Sequence, residues 1–372
     1  MTPRFFKYFV WLILFVTFGC STNGGYIVKG FITSDGTAAV KGTVYLFNGD
    51  MTVSDTAVIQ NGKFIFRGKI AEPDIFYLMA EGSGAYTRIF LENERFRIKA
   101  SLDNNLSNPE ITGGLNQSLI NAENQFQNEL AKKYNFHALN SEYNNPLTGR
   151  ERQKEIASLF DKIKNEVLEY QYSLMDQHPQ SYYTLKFLAA NVDKIPLEEL
   201  ERRMEHFYNS PLFEDNKDIE RIVSSIARLE QIQPGKKAPD FTMPDQNGKP
   251  VKFSDIYKAN QVTMLDFWAS WCAPCRKMHP ELREIYNRYN PKGFEIVAVS
   301  FDNSREKWEE AIREDRLPWI HLSDLQYWNS APRDLYLITY VPQYVLVDST
   351  GTILRLKISE AQAEEFLQSL FE

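Results

Sequence analysis

Two cysteines stand two residues apart at the end of an apolar, aromatic run, Phe267-Trp-Ala-Ser-Trp-Cys-Ala-Pro-Cys-Arg-Lys277. A pair at this spacing can be half a metal site, a structural staple or a redox couple. A zinc site takes about four nitrogen or sulfur ligands. Beyond the two thiols the neighbourhood offers only His279, expected on the surface of the following helix, so no metal is expected. As a staple the pair is poor, because so short a loop removes little entropy from the unfolded chain. Exchange chemistry suits the setting better. A thiol at the start of a helix faces unpaired N–H groups and the positive end of the macrodipole, which favour the thiolate. On that ground Cys272 is the attacking thiol, and Cys275, one turn further in, resolves the mixed disulfide.

Those roles need a buried strand running into a helix, and the surrounding pattern supplies one. From Gln233-Pro-Gly-Lys-Lys-Ala-Pro-Asp-Phe-Thr242 onward, strand and helix alternate to the end of the chain, as in an α/β sheet. Strands are predicted near Phe241–Met243, Val251–Phe253, Val262–Trp268, Phe294–Phe301, Gln343–Val347 and Thr352–Leu356. Helices are predicted near Pro274–Tyr289, Ser304–Glu314, Ala331–Leu337 and Ala361–Phe371. Asn247-Gly248 and Ser349-Thr-Gly351 read as hairpin turns, and Asn303 with Glu306 as a capping box.

Set among these elements, Trp271-Cys-Ala-Pro-Cys275 after Met264-Leu-Asp-Phe-Trp268 resembles a thioredoxin-fold active site. The segment from about Pro234 to Glu372 resembles the TlpA/ResA branch of exported thiol-disulfide oxidoreductases, relatives of the AhpC/TSA proteins. Supporting stretches are Ala238-Pro-Asp-Phe-Thr242, Phe294-Glu-Ile-Val-Ala-Val-Ser-Phe-Asp302 and Val341-Pro-Gln-Tyr-Val-Leu-Val-Asp348. The first of these is shared with peroxiredoxins, which use a single attacking cysteine in a different setting.

The resemblance implies a thioredoxin-like α/β domain over 233–372 and protein thiol-disulfide oxidoreductase activity. It calls for no cofactor beyond the redox-active disulfide Cys272–Cys275. It implies that Asp266 is a buried acid that helps move the proton of the resolving thiol; burial should raise its pKa, which suits a shuttle near neutral pH. Pro280 matches a proline that kinks the active-site helix. Pro342 matches a cis-proline opposite the dithiol, where the backbone of Val341 pairs with an extended substrate segment. Trp271, Ala273 and Pro274 complete the substrate-facing surface. One position departs from the branch: the glutamate usual three residues after the second cysteine is Met278 here, which argues against the cytochrome-maturation specialism of ResA. The implied direction is reduction of protein disulfides, with a membrane thiol-electron donor of the DsbD type as partner. Oxidase or isomerase activity is the alternative, and so is a binding lipoprotein whose thioredoxin domain is secondary.

The chain ahead of this domain is of two kinds. Tyr26–Ile32, Gly42–Phe47, Lys63–Arg67, Ile75–Met79 and Tyr86–Leu91 are short β-branched and aromatic runs, with Asn61-Gly62 as the strongest hairpin signal. They predict an antiparallel β-sandwich-like domain over 26–112, which resembles the β-rich domain that precedes thioredoxin-like domains in many bacterial lipoproteins. Over 113–232 the period turns helical. Ile156, Leu159, Phe160, Ile163, Val167, Tyr170 and Leu174 share one face, as do Ile219, Ile222, Val223, Ile226 and Leu229. A further helix over Pro196 to Asn209 opens on proline and glutamates. These faces read as core, and the segment as an insert that positions its neighbours.

The start of the chain is different again. Arg4 and Lys7 precede an apolar run, Tyr8 to Phe18, shorter than the ~20 residues of a spanning helix and suited to a secretory signal. Gly19-Cys20 followed by Ser21-Thr-Asn-Gly-Gly25 resembles a bacterial lipoprotein junction, although Thr17 and Phe18 depart from its usual residues. The expectation is a signal peptide over 1–19, a lipidated Cys20 and a tether over 20–25. An ordinary signal peptide or an uncleaved anchor is the alternative. Localisation then follows: the cell envelope, lipid-anchored to a membrane and facing the periplasm. The chain has 372 residues, 43% hydrophobic and 13% aromatic, enough for two or three cored domains. Its net charge of −7, without a basic field, argues against a nucleic-acid partner. With only three cysteines there is no disulfide framework, and a lipidated Cys20 leaves one dithiol over.

Overall fold

The computed structural model describes residues 24–37 and 41–372. The expected signal peptide and Cys20 lie outside the described residues. The chain divides into two compact units, Met1–Thr184 and Leu185–Glu372.

In the first unit eight strands come first: β1 (Tyr26–Thr33), β2 (Gly42–Phe47), β3 (Val53–Ile59), β4 (Lys63–Gly68), β5 (Asp74–Ala80), β6 (Tyr86–Leu91), β7 (Arg95–Ser101) and β8 (Glu110–Thr112). They form two four-stranded sheets, ordered β4-β1-β7-β8 and β3-β2-β5-β6. Alternate residues of both sheets, among them Val28, Phe66, Phe96 and Ile98 on one and Val44, Leu46, Leu78 and Ile89 on the other, share a single core. All pairings are antiparallel except β1 with β7, which is parallel. The β3–β4 connection is the hairpin expected at Asn61-Gly62, both residues at positive φ, with Gln60 and Lys63 exchanging backbone hydrogen bonds. Gly30 is required by packing, since a Cβ there would sit 1.8 Å from the Phe64 ring. β3, β7 and the short β8 are additions to the expected strands. β3 is an edge strand with polar Ser54, Asp55 and Thr56, and β7 carries Arg95, Arg97 and Lys99 on its outer face.

Four helices follow: α1 (Leu115–Lys133), α2 (Phe136–Tyr143), α3 (Arg150–Gln177) and α4 (Tyr182–Ala190). In α3 the predicted stripe is the inner one, with Ile156, Ile163 and Leu174 buried. The boundary between the units falls inside α4. In the second unit come α5 (Leu197–Met204) and α6 (Lys217–Gln231). Local bonds hold this part together: Lys186 pairs with Asp218, and Arg228 on α6 donates to the Asp334 carbonyl. On α6, Ile222, Ile226 and Leu229 are buried, while Val223, predicted for the same face, is exposed.

The rest of the second unit comprises β9 (Thr242–Pro244), β10 (Pro250–Lys252), α7 (Phe253–Tyr257), β11 (Val262–Trp268), α8 (Ala273–Tyr289), β12 (Phe294–Ser300), α9 (Arg305–Asp315), β13 (Ile320–Leu322), α10 (Ala331–Leu335), β14 (Gln343–Asp348), β15 (Ile353–Ile358) and α11 (Glu360–Phe371). Five strands form one sheet ordered β13-β12-β11-β14-β15. β11, β12 and β13 run parallel, and β14 and β15 are antiparallel. This is a thioredoxin-like sheet, with β11 at its centre and every residue of β11 buried. The cap of α9 is Ser304, whose hydroxyl accepts the Lys307 N–H, one residue on from the predicted Asn303. β13, three residues long, is an addition too.

Candidate active site

The central strand delivers the chain to the surface at one point. β11 ends at Trp268, whose carbonyl accepts the Phe301 N–H, and a tight turn follows in which the Cys272 N–H donates to the Ala269 carbonyl. Ser270 in that turn donates its backbone N–H and its hydroxyl to the two oxygens of Asp302, at 2.9 and 2.6 Å. Asp302 is buried and also accepts the Ser300 hydroxyl at 2.6 Å. The turn is therefore fastened to the end of β12 before the helix begins.

Cys272 is the N-cap of α8, and its sulfur accepts the Cys275 N–H at 3.2 Å. Pro274 occupies the first turn of α8, where its missing N–H costs nothing. Cys272 and Cys275 are joined as a disulfide and are 4% and 1% exposed. Their neighbours in sequence are open: Trp271 is 46% exposed, and Ala273 and Pro274 are exposed. The arrangement offers a sulfur at a helix N-terminus, where free N–H groups stabilise a thiolate, with a second sulfur enclosed one turn on. Helix α8 continues through Pro280.

Asp266 is 1% exposed in the middle of β11, paired in register with Ala298 on β12 and Tyr344 on β14. Val262, Met264 and Trp268 belong to the same core as the two cysteines. Side chains alternate along a strand, so Asp266 points to that side of the sheet. Its Oδ2 has no hydrogen-bond partner. An ionised carboxylate is costly in such a place, and burial pushes its pKa up to about 7.

The peptide between Val341 and Pro342 is cis. Both residues are half-buried, and Val341 packs against the core that holds the dithiol. Gln343 follows as the first residue of β14, opposite Phe267, buried and with both ends of its amide unpartnered. Asp266, Cys272, Cys275 and Val341 are thus gathered around one core, with Pro342 next along the chain, and Trp271, Ala273 and Pro274 are exposed beside the two cysteines.

His279 is not on the helix surface as expected. It is 1% exposed, and its Nδ1 lies 2.6 Å from the Asp315 carboxylate. Its ring stands edge-on to Trp268, with centroids 5.0 Å apart. Burial lowers its pKa, so the ring is neutral and Nδ1–H donates to Asp315. Arg276 also binds Asp315, through Nε at 2.8 Å and Nη2 at 2.7 Å. Burial works against the charged form of Asp315, but its bonds from Arg276 and His279 win and hold it below the usual carboxylate range.

Three further features are given no role by the sequence. Asp302 is one. The second is an aromatic group on the exposed side, where Trp271 packs on Tyr327 and Trp328 with centroids 5.6 and 6.1 Å apart, backed by Phe301. Gln343 is the third, a buried polar residue at the head of the apolar run Tyr344–Val347.

Two family models match the chain. The AhpC/TSA family matches residues 234–355, and a domain of unknown function, DUF4369, matches residues 26–120. The thiol-disulfide oxidoreductase ResA of Bacillus thuringiensis (strain Al Hakam) is 39% identical over 139 residues, covering 37% of this chain and 78% of that protein. ResA of Bacillus subtilis (strain 168) is 38% identical over 132 residues, covering 35% of this chain and 70% of that protein. A solved thiol-disulfide oxidoreductase from Bacteroides fragilis NCTC 9343 is 33% identical, covering 37% of this chain and 100% of that one with a TM-score of 0.35.

Proposed function

Since this chain belongs to the ResA-like thiol-disulfide oxidoreductases, we propose that it reduces disulfides of proteins through the Cys272–Cys275 pair. The observation that carries this reading is the placement of Asp266, a buried acid with a pKa of about 7 on the same side of the sheet as the enclosed Cys275.

The reaction starts from the dithiol. The Cys272 thiolate attacks one sulfur of the substrate disulfide, that bond breaks, and the other substrate sulfur leaves as a thiolate. The Asp266 carboxylate then takes the proton of the Cys275 thiol. The Cys275 thiolate attacks the Cys272 sulfur, and the second substrate sulfur leaves as a thiolate. Two electrons have passed to the substrate, and the enzyme is left with the disulfide seen in the structure. A thiol donor must reduce it again, and a membrane donor of the DsbD type is the partner proposed. No cofactor beyond the disulfide enters these steps. Val341 and Pro342 hold an extended substrate segment, with Trp271, Ala273 and Pro274 on the other side of the cysteines.

Export and anchoring complete the reading. An apolar leader ending in Gly19-Cys20 supports a signal peptide and lipidation of Cys20, which would hold the chain to a membrane of the cell envelope, facing the periplasm. Among the described residues no helix is long and apolar enough to cross a membrane.

The test is a Cys275→Ser chain recovered from cells under non-reducing conditions. Mixed disulfides on Cys272, absent from a Cys272→Ser/Cys275→Ser chain, are the expected result. A variant that traps nothing while the wild type complements a deletion removes the reading. The redox state of the wild-type pair in cells fixes the direction: mostly reduced for a reductase, mostly oxidised against it.

A further inference from the structure

The chain is acidic overall, at −7, yet one concavity in the second unit carries the opposite sign. It measures about 510 Å³ and lies between the end of α4, one face of α6 and the stretch from α10 to Tyr340. Its charged lining is Lys194, Arg221, Arg228 and Arg333 against Asp193 and Asp334. Cations exceed carboxylates two to one, and both carboxylates are already engaged. Asp193 accepts the Thr339 hydroxyl, and Asp334 accepts Arg333 Nη1 at 2.9 Å.

The cations keep spare capacity. Arg228 Nη2 donates to the Asp334 backbone carbonyl at 2.6 Å, an acceptor without charge. Arg221 bonds Asp218 at 3.0 Å, but that carboxylate is shared with Lys186 at 2.9 Å. Arg333 Nε is buried with no acceptor. Guanidinium groups in this condition match carboxylates in shape as well as sign.

The position of the concavity gives it an occupant. Thr339 and Tyr340 line it, and the next two residues are Val341 and Pro342. A polypeptide paired with Val341 would pass its edge. We propose that the concavity holds an acidic segment of the substrate protein, a short distance along the chain from the disulfide being reduced. The inference rests on the reading of Val341 and Pro342 as the substrate-pairing loop.

The test uses the full chain and two disulfide peptides that differ only in a tract of glutamates or glutamines near the cysteines. The wild type should reduce the glutamate peptide with a KM about five- to tenfold lower and an equal kcat, the size expected of a few partly exposed charge pairs. Raising the salt should shrink that ratio. Arg221→Gln with Arg228→Gln should bring the ratio near one, and Arg228→Lys should largely keep it. Equal KM values in the wild type overturn the proposal, as does an unchanged ratio in a double variant with wild-type thermal stability. If inorganic phosphate raises the melting temperature of the wild type but not of the double variant, while the peptide ratio is one, the occupant is a free anion and the proposal falls. Should neither peptide be reduced, the reductase reading itself fails and takes this inference with it. A glutamine peptide reduced without any preference for glutamate removes this inference alone.

Discussion

Ser270 gives both its backbone N–H and its hydroxyl to Asp302, and so ties the turn that carries Cys272 to the neighbouring strand. Asp302 is buried and accepts Ser300 as well, so its carboxylate serves three donors. Asp302→Ala should lower the unfolding free energy by about 3 kcal/mol, because buried donors are left without an acceptor. Ser270→Ala should cost about 1 kcal/mol. Urea titrations of the oxidised protein measure both. A loss for Asp302→Ala no greater than for Ser270→Ala would show that the carboxylate is not the hub of this turn.

Trp271 is a half-exposed surface residue whose ring contacts Tyr327 and Trp328. Trp271→Ala should therefore change stability by no more than about 1 kcal/mol, within the range of an exposed aromatic pair. Its effect should fall on substrates, with KM for a protein disulfide rising and KM for a small disulfide reagent little altered. Trp328→Ala should weaken the same substrates, since Trp328 supports the Trp271 ring. Equal losses on large and small substrates would place Trp271 in the chemistry instead of recognition.

Asp266 is expected to act as the base in the resolving step. Its pKa of about 7 means that the rate of resolution should climb with pH through that value and then level off. Asp266→Asn should remove the climb and slow resolution about a hundredfold, the lower end of what a placed general base contributes. Stopped-flow release from a preformed Cys272 mixed disulfide isolates this step. A variant with the wild-type pH profile would mean that another group, or water, takes the proton.

Much of this site can be read from the residue string because its central parts are local. β11 occupies Val262–Trp268 as its apolar run indicates, and the thiols follow at the turn into α8. The hairpin at Asn61-Gly62 is legible for the same reason, since two adjacent residues set it. What stayed hidden is held by distant partners. His279 looks like any polar helix residue until Asp315, on another helix, arrives to satisfy it. Asp302 closes the Phe294–Asp302 stretch, but its role exists only where β12 ends beside the turn after β11. The division inside α4 was hidden as well, because a helical period shows which face is buried but not against which neighbour.

Asp266 and His321 should pull the stability of the protein in opposite directions with pH. Asp266 has a native pKa of about 7, above the ~3.9 of an open chain. Between those values the folded chain keeps a proton that the unfolded chain has lost, so stability falls as pH rises, and it is level above 7. His321 is buried, and burial lowers its pKa to about 3, against ~6.5 in an open chain. There the unfolded chain gains a proton that the folded chain refuses, so stability falls as pH drops. His279, also lowered by burial, adds to the second slope. Each single-proton slope is about 1.4 kcal/mol per pH unit. Between pH ~4 and ~6.5 they largely offset one another in the wild type. Compared with the wild type, Asp266→Asn should lose stability more steeply on acidification through that window. His321→Gln should shift the other way and hold or gain stability. Denaturant unfolding across the window reads both differences, in which the titration of all other carboxylates cancels. Curves parallel to the wild type for Asp266→Asn would mean that the carboxyl is ionised inside the fold, too weak a base to serve the Cys275 thiol as proposed.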